Sequence, residues 1–130
     1  MNIEIDDLAA EINKELENYT AEIYDGVNKA VDKVAKEVND EIKSHIQFKE
    51  RSGNYVKSFK LETTVDRKTR RVKTWHVKAP HYRLTHLLEN GHLLANGGRS
   101  KAFPHIKYGE ELARRRMVEA TEEVIDNAGR

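Results

Sequence analysis

The densest grouping of side chains able to do chemistry lies between residues 76 and 105, which hold five of the chain's six histidines. His86, Glu89 and His92 stand close enough in sequence to suggest metal ligands, since imidazole nitrogens and a carboxylate are ordinary donors to zinc. The spacing argues against a site. On a helix His86 and Glu89 share a face, but His92 lies six residues beyond His86 and past Gly91, and no HExxH pattern accompanies them. The chain has no cysteine, so thiolate ligands, disulfides and cysteine nucleophiles are all excluded. These histidines read as polar cap or interface residues, and no metal or cofactor is expected.

Nucleophilic catalysis finds still less support. Ser44, Ser52, Ser58 and Ser100 have no surrounding elbow or oxyanion turn. Asn96-Gly97-Gly98-Arg99 lacks the GxxxxGK pattern and preceding strand of a phosphate loop, and reads as a flexible turn. No catalytic residue is assigned and no enzyme is expected. A different chemistry is open to Arg67, Lys68, Arg70, Arg71 and Lys73 beside Trp75. Clustered cations displace phosphate counterions and an aromatic ring can stack on a base, so this segment is a candidate nucleic-acid contact. The plainer alternative is a solvated, charged hairpin tip. An acidic protein partner is favoured over nucleic acid, because the chain's own N-terminal segment offers one on a neighbouring copy.

The elements that must carry these residues follow from periodicity. Over residues 5–42 apolar side chains recur at Leu8, Ile12, Leu16, Tyr19, Ile23, Val27, Ala30, Val34, Val38 and Ile42, in steps of three and four. This is a long amphipathic helix. The step pattern is closer to an eleven-residue repeat than to a heptad, which disfavours a left-handed coiled coil. If continuous, it forms a rod of roughly 60 Å, longer than a domain of this size can cover with its own core. Part of the stripe should then meet another subunit. Gly26 marks a candidate bend or break, so two helices in place of one remain open.

Small polar residues over 49–54 predict a loop. Tyr55, Phe59, Leu61 and Thr63 then alternate with Ser58, Lys60 and Glu62, which predicts a half-buried strand interrupted by Lys57. A second strand is written in Val72, Thr74 and His76 on one face and Trp75, Val77 and Ala79 on the other, after a hairpin connection at Asp66-Arg67-Lys68-Thr69. Pro80 ends it. Leu84, Leu87 and Leu88 fall at helical spacing before a stop at Gly91, a loop spans 93–103 with Asn96-Gly97-Gly98 at its tip, and Phe103-Pro104 leads into a final helix over about 107–127. The predicted class is α+β: a small antiparallel sheet covered by the final helix, with an N-terminal helix that projects or packs across it.

Arg114, Arg115 and Arg116 cannot share one helix face, so at least one should meet solvent or a partner. Glu89, just before Gly91, is a carboxylate near a helix C-terminus; the helix dipole opposes it, so it must find a donor, from Arg83, Arg99 or a neighbouring subunit.

Bulk composition agrees with an associating subunit. The 130 residues suit one domain, residues 1–48 forming the helix and 49–130 an α+β body. With 35% charged residues and a mean hydropathy of -0.80, the chain is polar for a globular protein. The net charge of +1 conceals a segregation: 5 Lys/Arg against 12 Asp/Glu over 1–48, 14 against 4 over 49–108, and 4 against 6 over 109–130. Opposite fields favour head-to-tail complementarity between copies, or else pairing within one copy. The acidic N-terminus lacks a secretion signal, and no apolar run approaches the roughly 20 residues that span a bilayer, so a soluble protein without membrane contact is expected.

Residues 82–106, YRLTHLLENGHLLANGGRSKAFPHI, join these features in an unusual order. The segment resembles the gene-product-ten-like tail-component family of tailed bacteriophages, counted among head-tail connector, neck and tail-completion proteins. The resemblance is carried by Tyr82, Leu84, His86, Leu87, Leu88, Glu89, Gly91, His92, Gly97, Gly98, Arg99, Ala102, Phe103, Pro104, His105 and Ile106. Its hallmark is an apolar run ending in Glu-x-Gly, a glycine-bearing loop and a Pro-containing apolar patch opening the last helix. The resemblance implies a structural virion protein of a phage or prophage, assembled in the host cytoplasm, acting in a homo-oligomeric ring with other neck, connector or tail proteins. On that reading Leu84, Leu87, Leu88, Phe103 and Ile106 anchor the core under the motif, with Glu89 and Pro104 in its two hallmark positions. Gly91, Gly97 and Gly98 shape the loop that leads to Arg99.

Overall fold

The computed structural model describes residues 5–48 and 53–129. Its elements are helix α1 (Ile5–Ser44), a four-residue helical turn α2 (Asn54–Lys57), strands β1 (Phe59–Arg67) and β2 (Arg70–Val77), a 3-10 turn (His81–Leu84), a short helix α3 (Thr85–Asn90) and a closing helix α4 (Ile106–Asn127). The class is α+β. Most of the loop expected over 49–54 lies outside the described residues.

α1 runs without interruption for 40 residues, about 60 Å at 1.5 Å per residue. Gly26 does not break it. A Cβ at that position would stand 2.6 Å from Cγ1 of Val124 on α4, so the missing side chain serves close helix approach. Gly109 on α4 plays the reciprocal part, since a Cβ there would meet Cγ1 of Ile42 at 2.5 Å. The two contacts set how α4 lies along α1.

The second half of the α1 stripe is the spine of the core. Ala30, Val34 and Ala120 form one buried cluster, and Ile42, Tyr55, Phe59 and Val77 form another, with Val38 packed against both. Burying such side chains contributes roughly 1.5 to 3 kcal/mol each for the larger ones, which is how the sheet and α4 are held to one helix. The first half is different: every residue from 7 to 22 is exposed.

β1 and β2 pair antiparallel across the two-residue turn Lys68-Thr69, with Phe59 opposite Val77, Leu61 opposite Trp75 and Arg67 opposite Arg70. The expected hairpin is therefore present, with Asp66 and Arg67 drawn into β1. The register shifts between Thr63 and Val65, a local bulge that sharpens the twist.

Two expectations need correction. Tyr55 lies in α2 and not on the strand, because Gly53 at φ 73 redirects the chain and the Ser58 N–H closes the turn onto the carbonyls of Asn54 and Tyr55 at 3.0 Å. Tyr55 and Phe59 still reach one core, since a spacing of four serves a helical turn as well as a strand. Further, α4 does not cover the sheet. That role falls to α1, which packs on both strands, while α4 packs along α1; Ala113 and Met117 reach only the cleft between α1 and the sheet, beside Leu61 and Trp75.

Candidate functional site

Glu89 is placed by α3, which ends at Gly91 with φ 73. A side chain at Gly91 would also press against the Ser100 carbonyl at 2.7 Å, so glycine alone lets the chain turn there. From this position the Glu89 carboxylate crosses to the start of α4. Oε2 accepts from the backbone N–H of His105 at 2.8 Å and of Ile106 at 3.0 Å, and Oε1 accepts from Lys107 at 3.0 Å. The first N–H groups of a helix have no partner within it, and the dipole there favours an anion. His105 is the N-cap residue and supplies no side-chain cap of its own, so Glu89 caps α4 from a distance.

Burial works against the Glu89 charge, but the amides of Ile106, His105 and Lys107 and the His105 ring together hold its carboxyl below the usual carboxylate range. The expected donors are thereby corrected. Neither Arg83 nor Arg99 holds Glu89; Arg83 lies over the Tyr82 ring, and Arg99 is exposed in the loop, its backbone paired with that of Leu93.

His105 is fully buried. Its Nδ1 faces two acceptors, the Phe103 carbonyl at 2.7 Å and Glu89 Oε2 at 3.1 Å, so Nδ1 carries the proton and donates. Nε2 meets the Tyr55 hydroxyl at 2.8 Å. Phe103 N–H donates to the Leu88 carbonyl at 2.6 Å, and the Phe48 ring packs against Phe103, His105 and Tyr55. The Glu-x-Gly and Phe-Pro halves of the motif thus form one clasp joining α3, α4 and the core. Leu88 packs against that core, whereas Leu84 is 45% exposed and is no core anchor. Leu87, Pro104 and Ile106 are half-buried. The tip at Gly97 and Gly98 is closed by Asn96 Oδ1 accepting from Gly98 N–H.

The residues weighed as metal ligands are not gathered. Glu89 is spent in the clasp, His92 pairs with Ser100 Oγ at 2.8 Å, and His86 is exposed. Among the described residues no group of three His, Cys, Asp or Glu is placed to hold a metal.

The basic hairpin divides by face. Arg71 donates to Asp32 at 2.6 Å and to Asp66 at 3.2 Å, Lys73 lies 3.6 Å from Asp32, and Trp75 Nε1 donates to Asn39 at 3.0 Å. Asn28, nearly buried, donates to the carbonyls of Arg67 and Lys68 at the turn. Asn28, Asp32 and Asn39 fall at i, i+4 and i+11, one side of α1, and they tie the hairpin along the helix. Trp75, half-buried with Phe59 edge-on at 4.8 Å, belongs to this seam. Arg67, Lys68 and Arg70 remain exposed. In α4 the three arginines part as their spacing requires: Arg114 and Arg115 face solvent, while Arg116 binds Glu37 at 2.9 Å and holds its carboxyl below the usual range. Charge pairing between the halves is thus partly internal. Beyond it the acidic first half of α1 leaves Leu8, Ile12 and Leu16 in water.

A family model described as "Bacteriophage HK97-gp10, putative tail-component" matches residues 10–91. The match takes in most of α1, the sheet and α3, and ends at Gly91, so it includes Glu89 but not the α4 amides that Glu89 caps. Neither the curated proteins nor the solved structures contain a match.

Proposed function

The chain belongs to the HK97-gp10-like family of bacteriophage tail components, and from that premise we propose that it acts at the head-tail junction, as a neck or tail-completion subunit that self-associates in a ring. The family is one of structural components and not of enzymes. The observation that supports self-association is the first half of α1, an apolar stripe on an acidic helix that the described body leaves uncovered. A covered stripe in the second half and a bare one in the first is the pattern of a subunit whose core ends before its helix does.

The partners are other copies and the neck, connector or tail proteins above and below them. A nucleic-acid role would rest on Arg67, Lys68 and Arg70 alone, because Arg71, Lys73 and Trp75 are engaged with α1. No described helix is long and apolar enough to cross a membrane. The test is genetic: a phage or prophage carrying a null allele of this gene is induced, and its lysate is inspected by electron microscopy. Separate heads and tails, rejoined when the wild-type chain is supplied in trans, are expected. Fully joined particles in the null lysate would defeat the proposal.

A further inference from the structure

The first half of α1 forms an arm whose residues from 7 to 22 are all exposed. Leu8, Ile12, Leu16 and Tyr19 continue the line that Ala30, Val34 and Ile42 bury farther along, yet each is at least 39% exposed. Clefts flank Leu16 on both sides, one walled by Tyr19 and Gly129, the other by Tyr24 and Lys68. These are concave seats for apolar side chains at the arm's root.

Charge decides what sits there. Residues 7–22 carry Asp7, Glu11, Glu15, Glu17 and Glu22 against Lys14. Two such arms side by side would set like charges together, so arm-on-arm pairing is opposed. Residues 78–101 carry the opposite sign: Lys78, Arg83, Arg99 and Lys101 against Glu89, whose charge is consumed in capping α4. The same segment exposes Tyr82, Leu84, Leu93 and Leu94. Among the described residues the ion pairs of α1 begin at Asp25, and those to other elements at Asp32; Glu22 accepts from the Gly129 N–H at 3.1 Å, and Asp7, Glu11, Glu15 and Glu17 are left to a neighbour.

We propose that the arm of one copy docks on the 78–101 face of the next, apolar stripe against the exposed loop leucines, carboxylates against Arg83 and Arg99. This deepens the self-association proposed above and rests on it. Such a contact joins two different surfaces, so repetition closes into a ring when the rotation permits.

The experiment is a charge swap in the full-length protein, read as solution mass by light scattering at low salt. One variant is Glu11→Lys with Glu15→Lys, the other Arg83→Glu with Arg99→Glu; all four sites are exposed and outside the core and the clasp. Wild type is expected to be multimeric, each variant to associate at least tenfold more weakly, and an equimolar mixture to reassemble, since the reversed arm fits the reversed face. Reassembly would also show both variants folded. Leu16→Lys and Leu93→Lys, at 58% and 70% exposure, read the apolar half and should dissociate the multimer while leaving the helical circular-dichroism signal unchanged. If wild type is multimeric but the mixture stays dissociated, or either charge variant associates normally, the docking site is wrong and the ring stands. A wild type that is monomeric at every concentration overturns both.

Discussion

Glu89 works through its charge on three backbone amides, and that makes it the most informative single side chain to change. Replacing it by Gln keeps the shape but loses the charge that the helix N-terminus stabilises, a loss of about 1 to 3 kcal/mol. Its sign with pH is fixed by the lowered carboxyl. Because the folded value lies below the ordinary 4.5, the stabilisation is fully present above about pH 4.5 and fades as pH falls through the folded value. Glu89→Gln should lower the urea midpoint at neutral pH and flatten the acid limb of the stability curve; an unchanged acid limb would refute the capping role. In the same network Tyr55→Phe should cost about 1 to 3 kcal/mol, measured by urea unfolding, by stranding Nε2 of the buried His105. That Glu89 needs a donor was legible from its place at a helix end. Which donor was not, because the amides lie 16 to 18 residues onward and meet it only after the loop closes. The burial of His105 had no local signal at all.

At the scale of elements, α1 was readable almost to its ends because a 3.6-residue stripe needs nothing beyond its own sequence. Tyr55 was not, since its distance of four from Phe59 suits both a helical turn and a strand. The place of α4 depended on Gly26 and Gly109, which in sequence are only weak helix formers and in space are points where the facing helix leaves no room for a side chain. They predict different outcomes. Gly109→Ala drives a methyl into Ile42, 1% exposed and unable to yield, and should cost about 1 to 3 kcal/mol. At Gly26→Ala the half-buried Val124 can give, and the helix gains up to about 1 kcal/mol of propensity, so the net change should be smaller. Urea unfolding of both variants decides this; equal losses would contradict the packing argument. The seam between hairpin and α1 is checked by Asn28→Ala, which should release the turn carbonyls of Arg67 and Lys68 and speed trypsin cleavage there severalfold. An unchanged cleavage rate would mean the turn is held by other contacts.

The whole molecule is a short body on one end of a long helix, and its two charge fields are only partly satisfied within one copy. Asp32 and Glu37 take up Arg71, Lys73 and Arg116, while Asp7, Glu11, Glu15 and Glu17 of the arm and the exposed cations of 78–101 stay open to neighbours. Sequence periodicity could tell that the helix was too long for its core; it could not tell which half would be left bare, because that depends on where the sheet and α4 settle. In the proposed role, copies of this tail component assemble at the junction of head and tail. The most direct test is to tag the chain at its C-terminus, beyond α4, and locate the tag on purified virions by gold labelling in the electron microscope. Label confined to the neck, several copies per particle, is the predicted result. Label along the tail shaft, at the distal tip, or absent from particles that are otherwise complete would contradict it.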